Sequence, residues 1–196
     1  MKALIIVDPQ RDFMPGGNLA VKDGNKIIPY INKIIENYPL VIVTLDSHPK
    51  NHGSFASNND VEPFTVGELN GLLQVFWPDH CIIGTEGHQI HKNLKHTKAK
   101  NLVVITKGTD PEVDSYSAFY DNGKKNKTEL SDILKEHSVN EIDVVGLATD
   151  FCVKYTAMDG ISEGFKVNIL LDGCRSINKD ISKDIEEMKK IGVKIK

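Results

Sequence analysis

Residues 144–157 read VVGLATDFCVKYTA, and the interpretation of the whole chain starts from this stretch. Apolar residues lead through Gly146 into a turn, and a helical pattern begins near Cys152. The stretch therefore predicts a strand, a tight turn and a helix in succession, which is the repeating unit of α/β proteins. Cysteine is among the most frequently buried residue types, so Cys152 is either a packing residue or a nucleophile. The surroundings that the fold gives it decide between the two.

The same unit recurs along the chain. Short apolar runs rich in Ile and Val predict strands at residues 3–7, 40–45, 102–106, 142–145, 167–171 and 193–195. Helical patterns lie between them, at residues 27–35, 128–137, 153–165 and 181–191. Several of the runs are continuously apolar, as in strands that are buried on both faces. Because parallel strands need crossover connections, we expect a three-layer αβα fold: a mostly parallel, Rossmann-like central sheet of about six strands with helices on both faces.

Composition excludes several functional classes. The 196 residues carry a formal net charge of −3, which gives no indication of a nucleic-acid or membrane partner. The first apolar run, ALIIV, ends at Asp8 and is too short for the core of a signal peptide. The three cysteines form no CxxC or other paired motif, so we expect a reducing compartment, the cytoplasm. The length suits a single domain over residues 1–196 and leaves open whether the chain forms a homo-oligomer.

One segment, residues 47–96, interrupts the alternation of strands and helices. It is rich in Asn, Gly, His and Pro, is only weakly periodic, and contains six of the seven histidines. A long irregular insertion in a compact domain is usually functional or disordered, and the histidines favour function. Within it, residues 56–76 form either a lid or a surface excursion. The charged residues 88–98 are expected to form a solvated helix face.

Reactive residues stand where four of the predicted strands end. Asp8 follows the first strand, Asp46 the second and Lys107 the third, while the fourth runs through its turn to Cys152. Ligands of open parallel sheets bind beyond the carboxyl ends of the strands, so these side chains are expected to share one rim. Each alone has a plain structural explanation, as a turn cap, a solvated lysine or a core cysteine. Four at one rim favour a catalytic site.

The chemistry of these residues is that of acyl transfer. A helix N-terminus and a nearby ammonium, here Lys107, both favour the thiolate form of Cys152. Asp8 is suited to act as a general base and later as an acid. Backbone N–H groups of the tight turn could hold the oxyanion of a tetrahedral intermediate. Hydrolysis of an amide is the simplest reaction of this type.

Histidines and a carboxylate also lie close together just past the second strand. Asp46 and His48 are two residues apart, and extended residues at that spacing point the same way. With His52 and His80 they form a set that suits Zn²⁺, Mn²⁺ or Fe²⁺. The spacing of these residues is equally consistent with a polar loop that has capping side chains, so a metal site and a polar loop both remain open on spacing alone. A structural zinc site would normally use four ligands, mostly cysteine, and that set is absent.

Taken together, these motifs resemble the nicotinamidase/pyrazinamidase branch of the isochorismatase-like cysteine hydrolases. The resemblance covers nearly the whole chain and is carried, in order, by VDPQRDF (7–13), DSHPKNHGSF (46–55), FWPDHCIIGTEG (76–87), TKGTDPEVDSYSAF (106–119), GLATDFCVKYTAMD (146–159) and LLDGCRSI (170–177). Several ordered motifs are far more specific than any one of them. The departures are modest: Ser47 stands where many relatives have an aromatic residue, and Gly173 and Ser176 alter the segment around Cys174.

The resemblance implies a role for each matching residue. It makes Asp8, Lys107 and Cys152 the catalytic triad. It makes Asp46, His48 and His80 metal ligands, with His52 matching a histidine that some members place at or near the metal. The residues that match or lie near an aromatic substrate slot are Phe13, Leu19, Trp77, Tyr116 and Phe151. A cis peptide bond is expected before Ala148, shaping an oxyanion hole from the N–H groups of Ala148 and Cys152.

The implied activity is metal-dependent hydrolysis of nicotinamide, and of pyrazinamide, through a cysteine thioester. The metal, most simply Zn²⁺, would hold the ring nitrogen so that the carboxamide faces the cysteine. Whether the role is NAD salvage or nicotinamide clearance stays open. The nearest alternative is a metal-free relative that uses the same triad on a carbamoyl or ureido substrate. A nucleotide-binding module is disfavoured because no GxGxxG motif follows the first strand.

Overall fold

The computed structural model describes residues 1–196. In chain order the strands are β1 (Lys2–Val7), β2 (Leu40–Asp46), β3 (Val66–Leu69), β4 (Leu72–Val75), β5 (Leu102–Lys107), β6 (Glu141–Leu147), β7 (Lys166–Arg175) and β8 (Lys194–Ile195). The helices are α1 (Ile27–Ile34), α2 (Leu130–Glu136), α3 (Lys154–Ser162) and α4 (Ser182–Lys190). All six strands and the four helices expected between them are present. β7 continues to Arg175 rather than ending at residue 171.

Six strands form one parallel sheet in the order β5–β2–β1–β6–β7–β8. The central strand β1 is completely buried from Ala3 to Val7, which is why its sequence is continuously apolar. The chain moves from β1 to one side, through β2 and β5, and then returns to β6 on the other side. The rim beyond β1 and β6 is therefore a topological switch point, the usual ligand site of such sheets.

Helices cover the sheet and confirm the expected αβα layers. The isoleucines of α1 at positions 27, 28 and 31 are buried, and both α1 and α3 pack against β7. Gly160 lets α3 approach closely, because a Cβ there would lie 2.9 Å from the side chain of Ile142 and 3.0 Å from that of Val167. This close packing fixes the helix that begins just after Cys152.

The insertion contains a β-hairpin that the sequence analysis did not predict. Strands β3 and β4 pair antiparallel and are joined by Asn70 and Gly71, which have φ angles of 50° and 84°. Two positive φ angles on Asn-Gly are typical of a type I′ turn. Side-chain amides tie the hairpin to the loop after β5: Gln74 donates to Asp114 Oδ2 at 2.7 Å, and Asn70 to the carbonyl of Glu112 at 2.8 Å.

The expectation of a helix at residues 88–98 was wrong. Only His96–Lys98 forms a short 3₁₀ turn, and the rest is irregular. His88 lies instead against the second strand end, where its Nε2 is 2.7 Å from Ser47 Oγ. No helix in the structure combines the length and the apolar character needed to cross a bilayer.

Candidate active site

Four strand ends bring reactive side chains to one point on the rim of the sheet. Lys107, the last residue of β5, lies at the centre. Its Nζ is 3.0 Å from Asp8 Oδ2, 3.0 Å from Asp46 Oδ1 and 3.5 Å from Cys152 Sγ. Part of this convergence comes from the register of the sheet, because Asp46 and Lys107 are paired across β2 and β5. The expectation that the four residues share one rim is confirmed; Asp8, Lys107 and Cys152 are called the triad below.

Two features of the local chain hold Asp8 in place. Its φ of 47° turns the backbone just past β1, and Thr44 Oγ1 donates to Asp8 Oδ1 at 2.6 Å while accepting from the Asp8 N–H at 3.0 Å. On the other side, Gly146 of β6 has a φ of 124°, and a Cβ there would lie 2.1 Å from the carbonyl oxygen of Val7. Only glycine fits this contact, so Gly146 lets β6 lie against β1 at the level of Asp8.

All three N–H groups of Lys107 are used. Nζ donates to Asp46 Oδ1 at 3.0 Å, to the carbonyl of Ser115 at 2.8 Å and to Cys152 Sγ at 3.5 Å. An ammonium has three donors, so it cannot satisfy Asp8 Oδ2, 3.0 Å away, at the same time as the other three acceptors. That oxygen is buried and has no hydrogen-bond donor. A lone pair of Asp8 is therefore free to accept a proton.

The charges at this point shift one another's pKa values. Burial opposes the charge of Lys107, but Asp46 and Asp8 outweigh it and raise the pKa of the ammonium well above its usual value. Burial also opposes the charge of Asp46, yet His48 and Lys107 hold the pKa of this carboxyl well below its usual range. Burial raises the pKa of Asp8, and Lys107 compensates only in part. Of the two carboxylates, Asp8 therefore takes up a proton more readily.

The nearby ammonium favours the thiolate form of Cys152, as expected, but burial outweighs it. Burial raises the pKa of its thiol well above the usual value; Lys107 lowers the pKa only in part, and Asp8 and Asp46 raise it further. The sequence placed the ammonium and both carboxylates at one rim, but it did not indicate the burial of the thiol or the balance of the three charges. Cys152 therefore rests as a thiol, and forming the nucleophile requires a base beside it.

The turn before Cys152 has the form that the resemblance implies. The peptide bond between Leu147 and Ala148 is cis. The next residues, Thr149–Val153, form a π-helical turn that leads directly into α3. The carbonyl of Ala148 closes the turn by accepting from the N–H groups of Phe151 and Val153, both at 3.1 Å. Cys152 thus lies at the start of the helical segment, facing the strand ends.

Asp46, His48 and His80 form a compact, buried group, called the three-ligand group below. Their ligand-type atoms lie within 4.8 Å of one another, and Asp46 Oδ2 is 3.1 Å from His48 Nε2 and 3.3 Å from His80 Nε2. Each imidazole donates its Nδ1–H to a backbone carbonyl, His48 to Gly108 at 2.8 Å and His80 to Pro78 at 2.7 Å. This selects the tautomer with a bare Nε2, as in metal-ligating histidines. The donor set fits a divalent cation such as Zn²⁺.

His52, the possible fourth ligand, lies outside this group. Its ring packs on that of His48, with centroids 4.2 Å apart, while its Nδ1 accepts from the N–H of Ser54 at 3.1 Å. Burial lowers the pKa of His52 to about 4, so the ring is neutral at pH 7 and carries its proton on Nε2. That Nε2 is buried without a protein partner. The structure thus brings together three of the four candidate ligands and leaves His52 beside them.

An apolar slot leads to Cys152. It is lined by all five expected substrate-binding residues and by six others: Phe13, Leu19, Asp46, Trp77, His80, Asp114, Tyr116, Ala148, Phe151, Cys152 and Ile177. Its cavity volume is only about 20 Å³, so the aromatic side chains lie close together and must move apart to admit a ring. Trp77 and Phe151 meet edge to face at 4.9 Å, and Phe64 of the 56–76 segment supports Trp77 at 5.9 Å. The aromatic lining is of the kind that binds a small planar ring, and the 56–76 segment supports one wall of the slot.

Three residues that support the site were not identified from the sequence: Gln10, Thr44 and Asp114. Gln10 is completely buried and holds both backbone groups of Asp46, accepting its N–H at 2.8 Å and donating to its carbonyl at 2.7 Å. Its place two residues after Asp8 was a usable signal, as was a hydroxyl at position 44 inside an apolar run. Nothing in the sequence indicated that Asp114 is buried in the slot.

Comparisons with known proteins agree with this fold and site. The isochorismatase domain model matches residues 2–195. A nicotinamidase from Escherichia coli is 50% identical over 181 residues, which cover 90% of this chain and 84% of that protein. A solved nicotinamidase/pyrazinamidase from Acinetobacter baumanii superposes with a TM-score of 0.95 at 42% identity, covering 99% of this chain and 94% of that one. For a zinc complex of the Pyrococcus horikoshii pyrazinamidase, the TM-score is 0.82 at 38% identity, with coverage of 100% and 98%.

These findings first define a class of protein, an αβα hydrolase with a cysteine at the switch point of its sheet. Within that class the chain belongs to the isochorismatase family, in its nicotinamidase/pyrazinamidase branch.

Proposed function

We propose that the protein is a nicotinamidase, which hydrolyses nicotinamide to nicotinate and ammonia and also accepts pyrazinamide. The proposal rests on one observation: the Cys152 thiol lies at the end of the apolar slot, between the rest of the triad and the three-ligand group. The substrates named for the similar proteins support it. Residues 1–196 act as one hydrolase domain, to which the insertion at 47–96 contributes His48 and His80.

In the first half of the proposed reaction, the amide is converted to a thioester. Asp8 takes the proton from Cys152 Sγ through its free Oδ2 lone pair, and the thiolate attacks the amide carbon. The N–H groups of Ala148 and Cys152 receive the oxyanion. The C–N bond then breaks, and ammonia leaves with the proton that Asp8 had accepted. Lys107 stays protonated throughout because its pKa is raised. Its positive charge then stabilises the negative charge that develops during the reaction.

In the second half, water releases the product. Asp8 takes a proton from the water, whose oxygen attacks the thioester carbon. The C–S bond breaks, and Cys152 Sγ recovers the proton from Asp8. The carboxylic acid product ionises to nicotinate at neutral pH.

Asp46, His48 and His80 would hold a divalent cation, most simply Zn²⁺, with Mn²⁺ or Fe²⁺ as alternatives. When bound, it supplies a Lewis acid for the ring nitrogen and offsets the charge of Asp46 beside the thiol. The zinc complex of the Pyrococcus horikoshii pyrazinamidase supports this assignment. Phe13, Leu19, Trp77, Tyr116 and Phe151 hold the ring by apolar contact, so that the carboxamide faces Cys152. We further propose the cytoplasm as the compartment, since catalysis needs a free thiol.

The first test is ammonia release from nicotinamide by the purified protein, before and after chelation, with Cys152→Ala alongside. We expect release that requires both the thiol and the metal, and that returns when Zn²⁺ is added back. If the zinc-loaded wild type released no ammonia, the proposed substrate would be wrong. A carbamoyl or ureido substrate would then be assayed with the same triad. Full activity of demonstrably metal-free protein would overturn the ligand assignment instead.

A further inference from the structure

Asp114 is the one acidic residue of the slot that the proposed reaction does not use. The slot contains two carboxylates, Asp46 and Asp114. Asp46 belongs to the three-ligand group and also pairs with Lys107 at 3.0 Å. Asp114 is only 3% exposed, yet it takes no part in the triad or in that group. Burying a carboxylate at a substrate site is costly, so its presence there needs an explanation.

The contacts of Asp114 hold its charge without neutralising it. Oδ1 accepts from the backbone N–H of Ser115 and Oδ2 from Gln74 Nε2, both at 2.7 Å. No lysine, arginine or histidine nitrogen lies within 4.0 Å of the carboxylate, in contrast to Asp8 and Asp46, which share Lys107. Both donors are neutral amides, so no side chain pairs with the negative charge of Asp114, and this charge acts on the slot alongside any cation that the three-ligand group holds.

The charge of the bound molecule changes during the proposed reaction. Nicotinamide is neutral when it enters the slot, and nicotinate is an anion when it leaves. A fixed negative charge in the wall raises the free energy of the anionic product complex and leaves that of the neutral substrate complex almost unchanged. We propose that Asp114 is a specificity-determining residue that makes the slot prefer a neutral carboxamide over the corresponding carboxylate and so promotes product release. This inference rests on the proposed function.

The test compares an anion and a neutral molecule of the same shape. Dissociation constants for nicotinate and nicotinamide are measured by calorimetry on zinc-loaded protein with the Cys152→Ala background, so that no turnover occurs. Asp114→Asn should bind nicotinate about tenfold more tightly, equivalent to about 1.4 kcal/mol, with nicotinamide within about twofold. In the active enzyme, the ratio of the inhibition constant for nicotinate to the KM for nicotinamide should fall by about the same factor.

A matched control separates charge from structure. Gln74→Leu removes one hydrogen bond of Asp114 but keeps its carboxylate, so the ratio of the two dissociation constants should not change. If Asp114→Asn does not fold, the double variant Asp114→Asn with Gln74→Glu exchanges donor and acceptor and moves the charge off the slot wall. The ratio should shift in the same direction in that variant.

The outcomes are distinct. An unchanged ratio in Asp114→Asn, or parallel weakening of both ligands, would show that Asp114 only anchors the hairpin, and the inference would fail. A shifted ratio in Gln74→Leu would contradict it as well. A zinc-loaded wild type that releases no ammonia from nicotinamide would instead remove the proposed function. An active wild type with an unchanged ratio would remove only the role of Asp114.

Discussion

The two sides of the slot are built in different ways. On the triad side, Asp8, Lys107 and Cys152 stand at or just past the ends of parallel strands, and the sheet's register sets their positions. On the other side, His48 and His80 lie in the irregular insertion and are oriented by single hydrogen bonds to the carbonyls of Gly108 and Pro78. The comparison teaches that the triad's geometry is spread over many ladder hydrogen bonds, whereas the ring of each histidine ligand is oriented by a single hydrogen bond.

The largest effect is expected on the triad side. Cys152→Ala removes the only nucleophile of the slot, and kcat for nicotinamide should fall by about 10⁴-fold or more. Zinc content should stay the same, because the three-ligand group is intact. Cys174→Ala is the matched control: it removes a buried thiol that does not line the slot and should keep its activity. Turnover that survived in Cys152→Ala would disprove the nucleophile assignment.

On the insertion side, His80→Ala should remove metal and activity together. Two ligands of three are too few for tight binding, so the purified variant should contain little zinc by elemental analysis. His52→Ala is the comparison, since His52 is a buried histidine of the same insertion outside the group. It should keep its zinc. Equal loss of zinc in both variants would mean that His52 is a ligand after all.

Gln10→Leu tests the hydrogen bonds that hold Asp46. The variant loses both contacts with the Asp46 backbone, so the zinc dissociation constant should rise about 10- to 100-fold, as when other supporting partners of a metal site are removed. Competition with a chromogenic chelator measures this directly. Activity at saturating zinc should recover much of its loss. A variant with unchanged zinc affinity would show that the sheet alone positions Asp46.

Thr44→Val makes the corresponding change on the triad side. It leaves the Asp8 N–H without its acceptor and Asp8 Oδ1 without its hydroxyl donor, at nearly constant volume. The free energy of unfolding should fall by about 1–3 kcal/mol, measured by urea titration. Zinc affinity should be unaffected, because Thr44 bonds to Asp8 and to none of the three ligands; a change in it would show that the loss is transmitted to Asp46.

The smallest effect is expected far from both sides, at Glu163. Ser131 and Tyr120 donate hydrogen bonds to Glu163, Lys135 lies 3.1 Å away, and together they lower its pKa to about 2. A lowered folded-state pKa stabilises the fold above the ordinary value of 4.5, and the effect disappears as pH falls toward 2. Glu163→Gln should therefore lower Tm by a few degrees or less at pH 7, with no difference near pH 2 and unchanged kcat. A difference that persisted at low pH would refute the charge explanation.

Much of the fold could be predicted because buried parallel strands have continuous apolar sequences. The rim residues followed from the same pattern, since the ends of such strands meet. The β3–β4 hairpin was missed although its Asn70–Gly71 turn was visible, because its strands are short and only weakly alternating. The hairpin's contacts with Glu112 and Asp114 join segments far apart in sequence, and no local pattern could have indicated them.

The protonation of Cys152 could not be predicted for a different reason. Sequence patterns indicate which charges lie near a thiol, but the pKa depends on burial and on the balance of all those charges. The same limit applies to His52, which its position in the sequence suggested as a metal ligand. Its Nδ1 accepts a hydrogen bond from the Ser54 N–H, so the ring carries its proton on Nε2. Both cases depend on side-chain orientation and burial, which a pattern of residue types does not specify.

One carboxylate belongs to both sides of the slot. Asp46 Oδ1 pairs with the Lys107 ammonium, and Asp46 Oδ2 lies beside Nε2 of both imidazoles. In evolutionary terms the two halves are therefore not independent modules. A lineage that abandoned the metal could lose His48 and His80 and still need the acid at position 46 to balance Lys107. Loss of that acid would damage both halves in a single mutational step, so position 46 should tolerate few other amino acids under selection.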